Sequence, residues 1–287
     1  MRSPISSDLI YATGACGGTC VLSYSEGKLV GTLNVGDAGA CADQSGNVYI
    51  ADMNNLFEFA HGGTTPINTF TVSDGEVNSC SVDAKTGSVA AAVVQSNEYN
   101  VAIFSSPSSS PRTYLINFAI QYCGYDNAGN LFVDGYHSVY PATFEMYELP
   151  KSSNQFTNIS VNPSIKLRPG QVQWDGAHMT VEGTGVQKSV TLFRLNISGS
   201  AATIVGRTKF RGVSRAASQS WIQGDHIFIP YGTRGNGPNK TKVGIWGYPA
   251  GGKVLQKIGN FERRPDVQGV TFSAGSRWKH SLDARTL

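Results

Sequence analysis

One pattern recurs along this chain and limits the folds open to it: an apolar strand that closes on an acidic turn with glycine before a second strand. It is found in ACADQSGNVYIA, SCSVDAKTGSVAAAV, YCGYDNAGNLFVD, QVQWDGAHMTVE and SWIQGDHIFIP. The turns are anchored, roughly 40 to 50 residues apart, by Asp43, Asp83, Asp126, Asp175 and Gln223. Aspartate at the first turn position can accept a hydrogen bond from the backbone two residues on, and glycine supplies positive φ. The pattern therefore predicts a repeated antiparallel unit.

Residues 39–70 contain the clearest complete unit. A short strand, a turn, an alternating strand, a polar loop and two further strands follow one another within this stretch. Four antiparallel strands in about 30 to 45 residues are typical of a propeller blade. A large apolar or aromatic residue also recurs on each third strand, at Leu22, Phe57, Phe104, Tyr147, Phe193 and Trp246. We interpret that position as packing between neighbouring blades.

The two ends of the chain supply one further blade. Five complete units leave an N-terminal fragment without a first strand and a C-terminal fragment, residues 265–275, with nothing after its first strand. We predict that Gly269–Ser273 pairs with residues 9–12, which closes the ring and removes its exposed edges. The predicted fold is an all-β, six-bladed β-propeller of four-stranded antiparallel blades over residues 1–275. Residues 276–287 are predicted to be a flexible basic tail.

A second domain is the structural alternative. Residues 105–111 are rich in Pro and Ser and resemble a linker, but they fall where every repeat has its turn between the third and fourth strands. We interpret them as a long turn.

Composition excludes several classes of partner. A formal charge of +3 with a pI near 8.5 is too mild to indicate nucleic-acid binding. No apolar run is long enough for a transmembrane segment. The first residues lack the features of a signal peptide, so the protein is either cytoplasmic or the given sequence is a mature or truncated form. We expect a monomer.

The five cysteines leave the compartment open. Cys16 and Cys20 flank Gly-Gly-Thr in a predicted hairpin loop, where either a short-range disulfide or two free thiols fit. Cys41, Cys80 and Cys123 sit in repeat-equivalent apolar strands. We interpret these three as small buried hydrophobic residues.

The repeats GACADQSGNVYIAD and GYDNAGNLFVDG resemble those of bacterial propellers of the NHL and YVTN type. The phrases GKLVGTLN, FEFAHGGTTPI, CGYDNAGNLFVDG, VQWDG and WIQG are similar to those of secreted or lipoprotein propellers of soil bacteria. The resemblance covers nearly the whole chain. It implies a six-bladed fold and an extracytoplasmic location, periplasmic or secreted, but it carries no assigned activity.

Related propellers usually bind ligands on the face formed by the second-to-third-strand loops and the crossings between blades, which is an analogy of fold alone. Loops on this face are acidic over the second to fourth blades and basic over the fifth, sixth and first. Such a mouth would suit a polar small molecule, a glycan or a protein partner. The candidate ligand-binding residues are Asp52, Tyr122, Asp134, Glu182, Arg215, Tyr231 and Arg264. Ordinary solvated loop charges are the other interpretation.

An enzyme is the alternative function. Asp134 and Glu182 end the second strands of adjacent blades, and Asp52 lies one position further on, so the three carboxylates could hold Ca²⁺ or another divalent cation. His137 would then be the general base of a metal-dependent hydrolase, lactonase or lyase. Propellers of the gluconolactonase type place a glutamate on the first inner strand, and GVTFSAG lacks it here. No cofactor is assigned on the leading interpretation.

Other conspicuous residues receive structural interpretations. His178 and His226 match each other at the start of the second strand, on the face opposite the expected mouth. The aromatic residues on inner strands are interpreted mainly as packing between blades, since large rings supply much apolar burial. They are Tyr125, Trp174, Trp221 and Phe272. No GxSxG, HExxH or phosphate-binding loop occurs, so we predict a non-catalytic binding propeller.

Overall fold

The structure is a computed structural model that describes residues 7–95, 98–137, 143–162, 170–184, 190–213, 219–233, 240–261 and 267–275. These residues form six antiparallel sheets arranged as the blades of a propeller, which confirms the predicted fold. Within these ranges there is no helix long and apolar enough to span a membrane.

Strands are numbered in chain order, and each blade is given from its inner to its outer strand. The closing blade, blade 1, consists of β25 (Gly269–Ser273), β1 (Leu9–Ala15), β2 (Gly18–Ser23) and β3 (Leu29–Leu33). Blade 2 consists of β4 (Ala40–Ala42), β5 (Val48–Asp52), β6 (Asn55–Phe59) and β7 (Asn68–Thr71). Blade 3 consists of β8 (Glu76–Val82), β9 (Val89–Val94), β10 (Tyr99–Phe104) and β11 (Arg112–Ile116).

The remaining blades follow the same order. Blade 4 consists of β12 (Ala119–Tyr125), β13 (Leu131–Tyr136), β14 (Phe144–Leu149) and β15 (Thr157–Asn158). Blade 5 consists of β17 (Gln173–Trp174), β18 (Met179–Thr184), β19 (Val190–Ser198) and β20 (Ala201–Lys209). Blade 6 consists of β21 (Trp221–Gln223), β22 (His226–Thr233), β23 (Lys240–Gly247) and β24 (Gly251–Phe261).

The ring closes where the repeats predicted. Strand β25 pairs antiparallel with β1, from Leu9 opposite Ser273 to Thr13 opposite Gly269. Residues 105–111 connect the paired strands β10 and β11 of one blade, so they form a turn rather than a linker. The predicted tail, residues 276–287, lies outside the described residues.

The aspartate anchors hold their turns as their chemistry predicted, each by accepting from the backbone N–H two residues on. Asp43 Oδ1 accepts hydrogen bonds from the backbone N–H groups of Ser45 and Asn47, both at 2.8 Å. Its Oδ2 accepts from Asn47 Nδ2 at 2.9 Å. Gly46 follows with φ of +86°, which a side chain would disfavour. This local bonding explains why the motif survives from blade to blade.

The core is divided among the six interfaces between blades. Each interface holds one apolar cluster of buried side chains, as in the cluster between blades 1 and 2, which contains Leu9, Tyr11, Ile50 and Phe59. The other five clusters lie between the remaining neighbours. One strand was not predicted: β16 (Ser160–Asn162) pairs parallel with β20 and adds a fifth strand to blade 5.

The structure corrects the interpretation of two cysteines. Cys41 and Cys80 are disulfide-bonded, with Cα atoms 5.7 Å apart, because repeat-equivalent positions of neighbouring inner strands face each other across the interface of blades 2 and 3. Cys16 and Cys20 are also disulfide-bonded. Cys123 is a buried free thiol, as predicted.

Candidate functional site

The propeller has two faces that differ in what they present. The turn face carries the first-to-second-strand turns with their anchor residues. The loop face carries the second-to-third-strand loops and the crossings between blades. The sequence predicted the ligand site on the loop face, so its residues are described first.

Asp134 lies inside the protein rather than at an open mouth. Its side chain on β13 is 0% exposed, and Oδ2 accepts a hydrogen bond from the backbone N–H of Gly170 at 3.2 Å. Its Oδ1 has no hydrogen-bond partner among the described residues. Burial raises the pKa of this carboxyl well above its usual range, backbone hydrogen bonds from Gly170 and Tyr122 lower it only in part, and Glu182 raises it further.

Glu182 is buried beside the same glycine. The side chain is 8% exposed, and a Cβ atom on Gly170 would lie 2.3 Å from Cβ of Glu182. Burial raises the pKa of Glu182 to about 8. Burial also raises the pKa of Tyr122, and the nearby Glu182 and Asp134 raise it further. Glu182, Asp134 and Tyr122 thus surround the crossing at Gly170 as a buried acidic cluster, which differs from the predicted exposed charges.

Asp52 belongs to a different part of the ring. Its Oδ2 accepts a hydrogen bond from the backbone N–H of Gly36 at 2.7 Å, which ties blade 2 to the crossing from the closing blade. It lines a recess of about 210 Å³ that does not include Asp134 or Glu182. Across the described ranges, no three His, Cys, Asp or Glu side chains converge as metal ligands. The predicted set of three carboxylates is therefore not brought together.

The other predicted residues are also separated. Tyr231 is buried in the interface of blades 5 and 6, because it lies on the same, core-facing side of β22 as Ile229. The centre of its ring lies 5.6 Å from that of Trp246. His137 is partly exposed, and its imidazole has no hydrogen-bond or ion-pair partner in the described part of the chain. Arg215 and Arg264 lie outside the described residues.

At the loop-face end, a glutamine side chain of blade 6 bonds the inner strand of blade 2. The Gln219 side chain, 1% exposed, donates to the carbonyl of Ala40 and accepts from its N–H, both at 2.7 Å. A Cβ atom at Gly39 or Gly269 would lie only 2.4 or 3.0 Å from Gln219 Oε1. A side chain at either position would crowd this amide where it passes between blade 6 and blade 2.

At the turn-face end, the inner strands surround a central cavity of about 470 Å³. Each blade contributes to its wall, in chain order through Asp43, Asp83, Tyr125, Trp174, Trp221 and Phe272. Cavities of this size are typical of small-molecule sites. The described residues thus place this cavity on the face opposite to the predicted one.

Aromatic rings form much of the cavity wall. Trp221 packs against the core between blades 2 and 3 and also against the core between blades 6 and 1, so its ring extends across the axis. Trp174 packs beside the core of blades 4 and 5, and its buried Nε1 has no hydrogen-bond partner in the part of the chain that the structure describes. Tyr125 and Phe272 complete the aromatic lining.

Carboxylates and amides supply the polar part of the wall. Asp43, Asp83 and Asp126 line the cavity, together with Gln173 and Gln223. No Lys, Arg or His is among the described lining residues. The cavity therefore combines aromatic surface with three acidic groups.

Sequence reasoning named these aromatic residues but assigned them to packing. Tyr125 and Trp174 directly precede their anchors Asp126 and Asp175, whereas Ala42 and Val82 occupy the same repeat position in blades 2 and 3. The anchor is shared among blades because it builds the turn. The preceding residue varies, and that variation is the signal that could have located the cavity.

Comparisons with known proteins support the fold. No protein-family model and no curated protein matches the chain. A solved structure of a nidogen/laminin complex contains a chain similar to this one, with a TM-score of 0.66 and 12% identity over 93% of this chain and 98% of that one. The propeller domain of Cps50 (Swd1) from Myceliophteria thermophila is similar with a TM-score of 0.55 and 10% identity, over 94% and 90% of the two chains. At these identities the likeness shows the fold alone.

Proposed function

We propose that this protein is a non-catalytic binding propeller whose ligand site is the central cavity of the turn face. The observation that carries the proposal is the cavity of about 470 Å³ to which all six blades contribute aromatic or polar side chains. The ligand is a polar molecule, or a polar group of a protein partner, that can pack on Trp174 and Trp221.

Two features distinguish this cavity from the loop face. Polar groups of the cavity wall converge on one space, whereas Asp134 and Glu182 are buried and Asp52 belongs to a separate recess. His137 has no orienting partner among the described residues, so no observation favours the alternative of hydrolase, lactonase or lyase chemistry.

A thermal-shift screen tests the location of the site. Neutral oligosaccharides, small amines and short peptides would be added to the protein, since a ligand that binds the folded state raises Tm. For any probe that does so, Trp174→Ala is expected to reduce the shift strongly, whereas Arg215→Gln with Arg264→Gln is expected to leave it unchanged. The reverse result would move the site to the loop face.

We also propose an oxidising, extracytoplasmic location. The Cys16–Cys20 and Cys41–Cys80 disulfides support it, because such bonds persist mainly in oxidising compartments. Thiol titration of denatured, unreduced protein from its native source should detect the single free thiol of Cys123. Detection of all five thiols would contradict the proposal.

A further inference from the structure

We infer that the central cavity recognises a cationic group, an ammonium or guanidinium carried by a small amine or by a Lys or Arg side chain. The inference rests on the proposed function and deepens it by naming the chemistry of the ligand. It is carried by the charges of the cavity wall and by its aromatic surface.

The carboxylates of the wall have neutral partners. Asp126 Oδ1 accepts from the N–H groups of Ala128 and Asn130 at 2.8 and 2.9 Å, and its Oδ2 accepts from Asn130 Nδ2 at 2.8 Å. Asp43 is bonded in the same way by Ser45 and Asn47. Backbone and amide donors hold these groups in place without cancelling their negative charge. In the described part of the chain, neither aspartate forms an ion pair.

The third carboxylate, Asp83, has cations in its surroundings. It accepts from the backbone N–H of Lys85 at 3.0 Å, and the side chain of Lys151 approaches Gly129 beside it. Neither ammonium lies within ion-pair distance of Asp83 in the described structure. Lys151 also lies beside the turn of Asp126, because Gly129 belongs to that turn and the backbone N–H of Lys151 donates to Asn130 Oδ1. Asp43 is therefore the clearest attractant for a ligand cation.

The negative charge of the cavity wall contrasts with the positive net charge of the whole chain. The chain as a whole carries a formal charge of +3, yet the described cavity lining contains three aspartates and no basic residue. A cleft lined by one sign of charge concentrates ligands of the opposite sign. A neutral sugar would gain nothing from this field, whereas a cation would gain at every carboxylate.

The aromatic wall fits the same class of ligand. A cation placed against the face of Trp or Tyr is attracted by the ring quadrupole, most strongly where water is excluded. Tyr125 directly precedes the wall carboxylate Asp126, Trp174 lines the same wall, and Trp221 crosses the axis.

Calorimetric titration with three probes tests the inference. Nα-acetyl-lysine methylamide carries the ammonium on a peptide unit, tetramethylammonium carries a charge without the peptide, and Nα-acetyl-norleucine methylamide keeps the alkyl chain without the charge. We expect the lysine probe to bind roughly tenfold more tightly than the norleucine probe, from cation–π and charge attraction together. Binding should weaken in about 1 M salt, where the Debye length is about 3 Å. Tetramethylammonium binding at comparable strength identifies a small amine as a sufficient source, and its failure identifies a peptide source.

Two single variants and a matched control locate the interaction. Asp43→Asn and Asp126→Asn keep an oxygen for the turn but remove the charge, and each should weaken binding of the lysine probe roughly two- to fivefold. Asp175→Asn changes the equivalent turn of blade 5, which holds Ala177 and His178 but does not line the cavity. This control should leave the affinity unchanged.

The outcomes separate this inference from the proposed function. Equal binding of the norleucine probe, no detectable binding of either charged probe, or equal losses in all three variants would overturn the cation site. If instead a neutral oligosaccharide binds and Trp174→Ala abolishes that binding, the cavity remains the ligand site and only its cationic specificity is wrong.

Discussion

At the scale of single residues, Glu182 shows how burial changes the behaviour of a carboxyl group. Its neighbour Gly170 packs against its Cβ, and among the described residues it shares its surroundings with the carboxyl group of Asp134. Desolvation disfavours the charged form, so the pKa of Glu182 rises to about 8. In the unfolded chain an ordinary glutamate titrates near pH 4.3.

This difference predicts a pH-dependent stability. The pKa of Glu182 is higher in the folded than in the unfolded protein. Its contribution to the free energy of unfolding is therefore fully present below about pH 4 and is lost as pH rises to about 8. The free energy of unfolding should fall by up to about 1.4 kcal/mol per pH unit in this window. Glutamine does not titrate, so Glu182→Gln should remove this part of the pH dependence of stability. Urea unfolding at about pH 5, 6.5 and 8 would measure the effect.

An exposed glutamate provides the control. Glu26 pairs with Lys28 on the surface, with 59% of its side chain exposed, so Glu26→Gln should leave the pH profile of the native protein intact. Parallel profiles for native protein and Glu182→Gln would show that burial of this carboxyl has no such consequence. Asp134 has a raised pKa as well, so a residual slope is expected in the Glu182 variant.

At the scale of elements, the inner strands are joined by side-chain amides as well as by packing. Gln173 bonds the N–H and the carbonyl of Ile222 at 2.8 and 2.9 Å, which links blades 5 and 6. Gln219 bonds Ala40 in the same two-point manner and links blades 6 and 2. An amide matches the donor and acceptor of one backbone residue, so a glutamine side chain can bond the inner strand of another blade much as a paired strand would.

Gln219→Leu tests this link. The substitution leaves the buried N–H and carbonyl of Ala40 without partners, and it should lower the free energy of unfolding by about 2 to 4 kcal/mol. Gln155→Leu changes an exposed glutamine of a surface turn and should have little effect. Chemical denaturation of both variants gives the comparison. Equal denaturation midpoints for the two variants would mean that water bonds the N–H and the carbonyl of Ala40 as well as Gln219 does.

The two disulfides offer a second comparison at this scale. Cys41–Cys80 joins β4 to β8 across 39 residues, whereas Cys16–Cys20 spans only four. Closing a longer loop restricts the unfolded chain more, so replacing the first pair by alanine should cost about 4 kcal/mol and the second about 2. Guanidinium unfolding without reductant measures both losses. A larger loss for the short loop would contradict this dependence on loop length.

At the scale of the whole molecule, the ring was predictable because its repeating signals are local. Asp43 and Gly46 act within five residues of each other, and an inner strand next to a turn of this kind recurs in blades 2 to 6. The missing first strand of the N-terminal fragment then required a partner from the other end. Strand β25 meets that requirement.

The site was less predictable because it depends on contacts between distant residues. Burial of Asp134 follows from a glycine 36 positions away, and the Gln219 link spans 179 positions. Pairing of Cys41 with Cys80 depends on which faces of two blades meet. Periodicity places such residues on strands. It does not say at which end of the propeller axis the inner strands are linked by side chains and at which end they leave a cavity.

Closure of the ring yields the last prediction. Strand β25 contributes Val270 and Phe272 to the core between blades 6 and 1 and pairs with β1 along five residues. A chain that stops after Val267 loses this strand, which leaves β1 as an open inner edge and removes two buried apolar side chains. We expect loss of the cooperative unfolding transition, or association through the open edge, measured by thermal unfolding and sedimentation.

A chain that stops after Gly275 is the matched control. It keeps β25 and the hydrogen bond from the N–H of Gly275 to Asp8 Oδ1, and it omits only the predicted basic tail. It should unfold at the same temperature as the full chain and sediment as the predicted monomer. If both truncated chains behave alike, closure by β25 contributes nothing to the stability of the ring. If only the shorter chain fails, the two ends of the sequence stabilise the propeller together, because the sixth blade needs strands from both.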